Sequence, residues 1–239
     1  MCKNLKTPVH RFEIGFKTLY NTIYLERTSG ITVNNNQVIT TIKERSSARA
    51  YSPEQLTQEE LNTVLNAGLM APTGMNKQEI HFTVVKGDNP VLSELDEEKR
   101  RLRSQEKQPH NFYYEAPVLI LLSAEEGFRW SQVDAGIAVE NMALAAQSLG
   151  LGNLVIGCIY DALHGEKKDY FSKAFQIPEG YSFQIALAVG HKTDHKAPHE
   201  YDFDKQVTIL SPGYYKINRK AKLSENLVAS ICQNCYTKY

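Results

Sequence analysis

The run PVLILLSAEEGFRWSQVDAGIAVENMALAAQSLGLGNLVIGCIY, residues 117–160, holds three elements in succession. Residues 117–123 are an unbroken apolar stretch of strand length. Residues 130–149 form a long helix with apolar side chains almost all round, which predicts burial. Gly150 stands where a helix is commonly capped, and 154–160 (LVIGCIY) reads as a second strand. Apolar strands that lack polar alternation are strands covered on both faces.

The same alternation extends in both directions. Upstream, Thr57-Gln-Glu-Glu60 matches a capping box, and Leu61, Val64, Leu65 and Leu69 share one helical face before Pro72 ends it. HFTVV (81–85) is a short strand, and 91–103 is a helix whose charged run EEKRRLR reads as a solvated face. Downstream come a short helix over 167–175 and a strand over 183–189 running into Gly190. Four strands interleaved with helices predict a central sheet with helices on both faces. Periodicity alone leaves its strand directions open.

The compact unit is expected over 36–210, between an N-terminal extension (1–35) of no clear pattern and a C-terminal one (211–239) that opens on a Pro-Gly breaker. With 27 basic and 27 acidic residues the net charge is zero, so nothing draws the chain toward nucleic acid or an anionic membrane. The four cysteines are not spaced as a disulfide framework; Cys232 and Cys235 lack a second pair to complete a zinc site. His191, His195 and His199 recur every four residues, but Gly190 and Pro198 break a helix there, and no metal is expected. No stretch is long and apolar enough to span a bilayer, and the first residues lack the apolar core of a signal peptide; a soluble cytoplasmic protein is expected. No Gly-x-Ser-x-Gly elbow is present, and Asp134 and Glu140, on the long helix, read as partnered structural carboxylates.

Three stretches have the composition of a binding site. In RSSAR (45–49), Arg45 and Arg49 are four apart. If helical they share a side, with Ser47 between them, and forked guanidiniums plus a hydroxyl suit a phosphate. The same residues also suit a helix C-terminus carrying cations. In APTGMNKQEIHF (71–82), Gly74 loosens the chain while Thr73, Asn76 and Gln78 offer polar tips. Amide side chains suit the rim of a hydrogen-bonding heterocycle, and they equally suit a turn. In GLGNLVIG (150–157) the glycines do not fit a dinucleotide fingerprint, yet Gly157 within an apolar strand marks a place where something comes close.

In order and spacing these stretches resemble the nitroreductase family of flavin enzymes, over about 37–210. Its opening signature is similar to Arg45-Ser46-Ser47-Ala48-Arg49-Ala50-Tyr51-Ser52-Pro53, and its second to Ala71-Pro72-Thr73-Gly74-Met75-Asn76-Lys77-Gln78. Its Ala-rich helix, Gly-Leu-Gly and following strand resemble 134–157, and its closing strand resembles 186–190. The resemblance implies an α+β fold with a mixed central sheet, FMN as cofactor, and a homodimer with flavins at the subunit interface. It implies that Arg45, Ser46, Ser47 and Arg49 hold the flavin phosphate and ribityl end. Thr73, Asn76 and Gln78 would contact ribityl chain and ring, Asn76 reaching the other subunit's flavin. Ile156 and Gly157 would present backbone near the reactive ring nitrogen, and Lys192 or Lys196 would supply the basic residue after the last strand. Two departures stand out: Thr73 replaces a serine, and Glu79-Ile80 replaces a proline and an aromatic. The implied activity passes hydride from NAD(P)H through flavin to a nitroaromatic or quinone, by ping-pong kinetics. The alternatives are a flavin reductase or dehydrogenase on the same scaffold, a non-catalytic flavin- or nucleotide-binding sensor, and a phosphate-binding regulatory domain.

Overall fold

A computed structural model describes residues 35–104 and 108–210. The elements are α1 (Gln37–Glu44), α2 (Gln58–Leu69), a 3-10 turn (Gly74–Asn76), β1 (His81–Lys86), α3 (Pro90–Leu102), β2 (Val118–Glu125), α4 (Ser131–Ser148), β3 (Gly152–Ile156), α5 (Tyr160–His164), α6 (Lys168–Ala174), β4 (Tyr181–Gly190) and α7 (Phe203–Gln206). The chain divides into two units, 1–198 and 199–239. In the described part of the second, α7 is capped by the Asp202 carboxylate, which accepts from the Lys205 amide. Cys232 and Cys235 lie outside the described residues, as do the 1–34 and 211–239 segments.

The fold is α+β. The sheet runs β1-β2-β4-β3, and all three ladders are antiparallel. The parallel contact among the described residues is an isolated bridge between Ser47 and Asn153. Alternate side chains of β2 point to opposite faces. Leu119 and Leu121 join Leu92, Leu95, Phe171 and Phe183 beneath α3, α5 and α6. Ile120 and Leu122 join Val64, Met142, Ala143 and Leu187 beneath α2 and α4. Helices on both faces follow from this double burial. The capping box of α2 is formed as read, with Thr57 and Glu60 each satisfying the other's backbone amide. Gly150 follows α4 with a φ of +78°, the left-handed geometry that ends helices.

Several elements differ from the sequence reading. α1 is a helix that the sequence reading did not place; the Asn36 side chain accepts from the Ile39 amide and starts it. RSSAR is not helical. α1 stops at Glu44, and Arg45 turns outward with ψ of 127°, so the two arginines share no helix face. The strand expected over 154–160 is shifted back to Gly152–Ile156. Ile159, which prolonged the apolar run, is fully buried in the turn ahead of α5 rather than in the sheet. The charged run of α3 is not uniformly solvated: the Glu98 side chain is 1% exposed and is held by Arg101 at 2.7 Å and Lys167 at 2.9 Å. α4 is not wholly covered in the single chain. Val133 and Ile137 are exposed on one stripe, flanked by Gln132, Gly136 and Glu140. Among the described residues no helix is long and apolar enough to cross a membrane.

Candidate active site

The site is organised by Asn153, a polar residue inside the apolar strand β3 and fully buried. Its amide nitrogen donates to the Ala143 carbonyl of α4 at 3.1 Å. Its side-chain oxygen accepts from the Arg45 guanidinium at 3.5 Å. Its backbone carbonyl accepts the Ala48 amide at 2.9 Å. One residue thereby ties RSSAR to both β3 and α4.

The other side of the 45–52 segment is closed by the chain leaving β4. Tyr51 bridges antiparallel to Lys192, the Ser52 amide donates to the His191 carbonyl at 2.9 Å, and the Thr193 amide donates to the Ala50 carbonyl at 3.0 Å. Residues 191–198 form no helix, so the three histidines do not share a helical face. Both lysines of this run reach the site. Lys196 donates to the Ser47 carbonyl at 2.8 Å, and Lys192 donates to Gln147 Oε1 at 3.0 Å. Arg45, Ser46, Ser47, Arg49, Lys192 and Lys196 are therefore drawn to one place by two layers of backbone pairing. Asp194 balances part of the charge: its Oδ2 accepts the Arg49 amide at 3.0 Å, while its buried Oδ1 has no hydrogen-bond partner. Glu140 lies 3.8 Å from Arg45 Nε. Burial, and then the charge of Asp194, pushes the Tyr51 hydroxyl far above its ordinary pKa, so it stays protonated and donates to the Ala48 carbonyl. Four cationic side chains against two carboxylates leave an excess of positive charge here.

Arg49 also lines a cleft of about 430 Å³ with Phe112, Tyr114, Ile156 and Gly157; this falls in the size range of small-molecule sites. The Arg49 guanidinium sits 5.9 Å from the centre of the Tyr114 ring. Gly157 is exposed just past β3, and a Cβ there would meet only Ile185 Cδ1, at an ordinary 3.6 Å. No part of the described chain crowds this glycine, whose carbonyl accepts the Tyr160 amide at 3.1 Å.

The 71–78 stretch forms a ledge against the start of α4. Asp134 accepts the Gly74 amide at 2.8 Å, and the Thr73 hydroxyl accepts the Gln78 amide at 2.9 Å. Gly74 does not loosen the chain; it makes room for Trp130, whose Cδ1 a Cβ would approach to 2.9 Å. Met75, Asn76 and Gln78 all have positive φ, at 58°, 54° and 51°. Three non-glycine residues in that region within four positions store strain of a kind concentrated at functional sites. Asn76 and Gln78 point outward and are exposed. Lys77 pairs with Glu125 and lies 4.4 Å from the centre of the Phe128 ring. Glu79 is buried with neither carboxylate oxygen in a hydrogen bond, and burial, reinforced by Asp134, raises its pKa.

Among the described residues no hydrogen bond or ion pair joins ledge to grip. The ledge rests on Asp134, whereas the grip rests on Glu140, Ala143 and Gln147 of the same helix. From residue 134 to 147 is roughly 20 Å of helix at 1.5 Å per residue. Sequence reasoning missed Asn153, Asp194 and Gln147. An asparagine interrupting an apolar strand was the available signal for the first; nothing marked the other two.

A family model described as "Nitroreductase family" matches residues 42–191. The FMN reductase [NAD(P)H] of Bacillus subtilis is 27% identical over 185 residues, covering 68% of each chain. A nitroreductase with bound FMN from Desulfitobacterium hafniense superposes with a TM-score of 0.68 at 29% identity, covering 74% of this chain and 100% of that one. A nitroreductase with bound FMN from Bacteroides fragilis gives 0.67 at 31% identity with the same coverage.

Proposed function

Because the chain belongs to the nitroreductase family, whose matched region holds RSSAR, the ledge and β3, we propose that these residues, with Lys192 and Lys196 just beyond it, bind FMN between two copies of the chain and bring NAD(P)H and an electron-poor acceptor to it in turn. The protein is an FMN-dependent NAD(P)H oxidoreductase. The observation that supports our reading of its site is the Asn153-centred grip, which leads through Arg49 directly into the cleft at Ile156 and Gly157.

The residues present fit the cofactor. Arg45, Ser46, Ser47, Lys192 and Lys196 supply donors for a phosphate, and Arg49 supplies positive charge where cleft and grip meet. Gly157 leaves backbone uncovered where a flat ring would lie. FMN, when bound, supplies the hydride chemistry itself. The chain contributes binding, orientation and fixed positive charge that favours an electron-rich ring. No side-chain nucleophile is needed. One cleft used successively by donor and acceptor gives ping-pong kinetics, with a nitroaromatic or quinone as acceptor. A reductase fed by NAD(P)H acts where that donor is regenerated, which makes the cytoplasm our proposed location.

The ledge suits the flavin of a second copy. Asn76 and Gln78 present their amides outward, and around them lie exposed Leu69, Met70, Met75, Trp130, Val133 and Ile137. So much apolar surface about strained polar residues suits a homodimer that brings each ledge to its partner's grip.

The test is direct. The purified protein should be yellow, should bleach on anaerobic titration with NADH or NADPH, and should recover colour on adding a quinone or nitroaromatic. Bound flavin that neither nucleotide bleaches would support a sensor, and a colourless protein that takes up no added FMN would end the proposal.

A further inference from the structure

The charged end of α3 is divided between two tasks. Arg100 donates to Asp96 at 3.1 Å, and Arg101 is committed to buried Glu98 and reaches Glu166 at 3.4 Å. Lys99 and Arg103, four residues apart, instead line the cleft that holds Arg49, Ile156 and Gly157. Arg103 meets Asp161 at 3.5 Å, but both side chains are exposed, and such pairs contribute at most about 1 kcal/mol. The Lys99 side chain makes no hydrogen bond or ion pair with any described residue. Among the described residues no carboxylate lines the cleft; its charged or titratable walls are Arg49, Lys99, Arg103, His110, Tyr114 and Cys158. The helix dipole accounts for cations at this terminus. It does not account for two of them facing a concave cavity, lined by no described carboxylate, beside a third.

These two side chains are not needed for the flavin phosphate. That anion has donors in Arg45, Ser47, Lys192 and Lys196, and no hydrogen bond or ion pair among the described residues joins Lys99 or Arg103 to that grip. A nitroaromatic or quinone has no charge that calls for two cations. The reducing dinucleotide carries phosphates. We infer that Lys99 and Arg103 bind a phosphate of NAD(P)H and hold the nucleotide over the cleft, a reading that rests on the proposed function and deepens it. The phosphate is either the diphosphate common to both nucleotides or the 2′-phosphate of NADPH. Both present oxygens to an ammonium and a guanidinium spaced one helical turn apart.

The experiment compares wild-type holoenzyme with Lys99→Gln/Arg103→Gln and with Arg100→Gln, whose target is spent on Asp96 outside the cleft. Adenosine 2′,5′-bisphosphate and ADP are titrated calorimetrically into each, and KM is measured for NADPH and NADH. Loss of one or two charged hydrogen bonds should weaken binding about tenfold or more. Weaker bisphosphate binding and a raised KM for NADPH alone identify the 2′-phosphate. Weakening of both probes and both nucleotides identifies the diphosphate. Unchanged affinities in the double variant, an equal change in Arg100→Gln, or no saturable binding to wild type would each overturn the inference. Flavin content separates the two readings: colourless wild type sinks the flavin assignment, whereas yellow wild type and variants with unaltered nucleotide affinity sink this inference alone.

Discussion

Gly152 and Lys192 pack so closely that a Cβ on the glycine would stand 2.5 Å from the Cβ of the lysine, with Ala48 Cβ at 2.9 Å on the other side. β3, the RSSAR segment and the run leaving β4 converge at this point. Gly152→Ala should therefore spread the three chains. Overpacking of this kind costs about 1–3 kcal/mol. Thermal unfolding should show the lower stability, and absorbance near the flavin band should show loss of cofactor as well. An alanine variant with wild-type melting temperature and full flavin would contradict the close approach.

Arg45→Ala and Arg49→Ala test the anion grip. Hydrogen bonds to charged groups contribute roughly 1.5–3 kcal/mol each, so either change should weaken FMN retention by about tenfold or more. Equilibrium dialysis of the apoprotein with FMN gives the dissociation constants. If the double variant keeps full flavin, the phosphate lies elsewhere. Lys192→Ala and Lys196→Ala, measured alongside, establish which lysine serves the phosphate, since both reach the segment but through different partners.

Asn153→Leu removes the amide while nearly keeping the volume. It removes the bond that the Ala143 carbonyl accepts beside its helical one and frees Arg45 from its guide. Loss of an intramolecular hydrogen bond costs about 0.5–1.5 kcal/mol. Chemical denaturation should report that loss, and FMN affinity should fall even though no residue of RSSAR is altered.

Two buried carboxylates should act in opposite senses on pH stability. Arg101 and Lys167 hold Glu98 down to a pKa of about 2, below its ordinary 4.5. Its stabilisation is present above pH 4.5 and is lost as pH falls toward 2. Glu79 is raised instead, by burial, so its protonated form suits the fold, and stability declines as pH rises above 4.5 through its folded value. Melting temperatures across acid and neutral pH should show Glu98→Gln flattening the acid limb. Glu79→Gln should stabilise the protein at neutral pH; a loss there would mean that Glu79 has a cationic partner in the assembly.

Val133→Asp on the exposed stripe of α4 probes the proposed dimer. Burying a charge without a partner is strongly unfavourable, so the variant should elute as a monomer in light-scattering chromatography and retain less flavin. A wild type already monomeric with full flavin would remove the second copy from the site.

The order of elements could be read directly from the chain, because apolar runs, helical faces and capping residues are local signals. Thr57 and Glu60 name the start of α2, and the apolar stretch at 118–122 names a doubly covered strand. Where a local signal was ambiguous, the reading slipped. The apolar run through Ile159 continued past the end of β3 because burial in a turn and burial in a sheet select the same side chains.

The sequence by itself determined the α+β class and the positions of the arginine-bearing segment and the amide-bearing ledge, since each depends on residues near one another in the chain. Tertiary structure alone decided that Arg45 would meet Asn153 across 108 positions, that Lys192 and Lys196 would both reach the grip, and that Lys99 and Arg103 would turn to the cleft while Arg100 and Arg101 turned away. Pairing between distant segments is set by which surfaces pack and which backbone groups must be satisfied once buried. That competition is resolved only when the whole chain has folded.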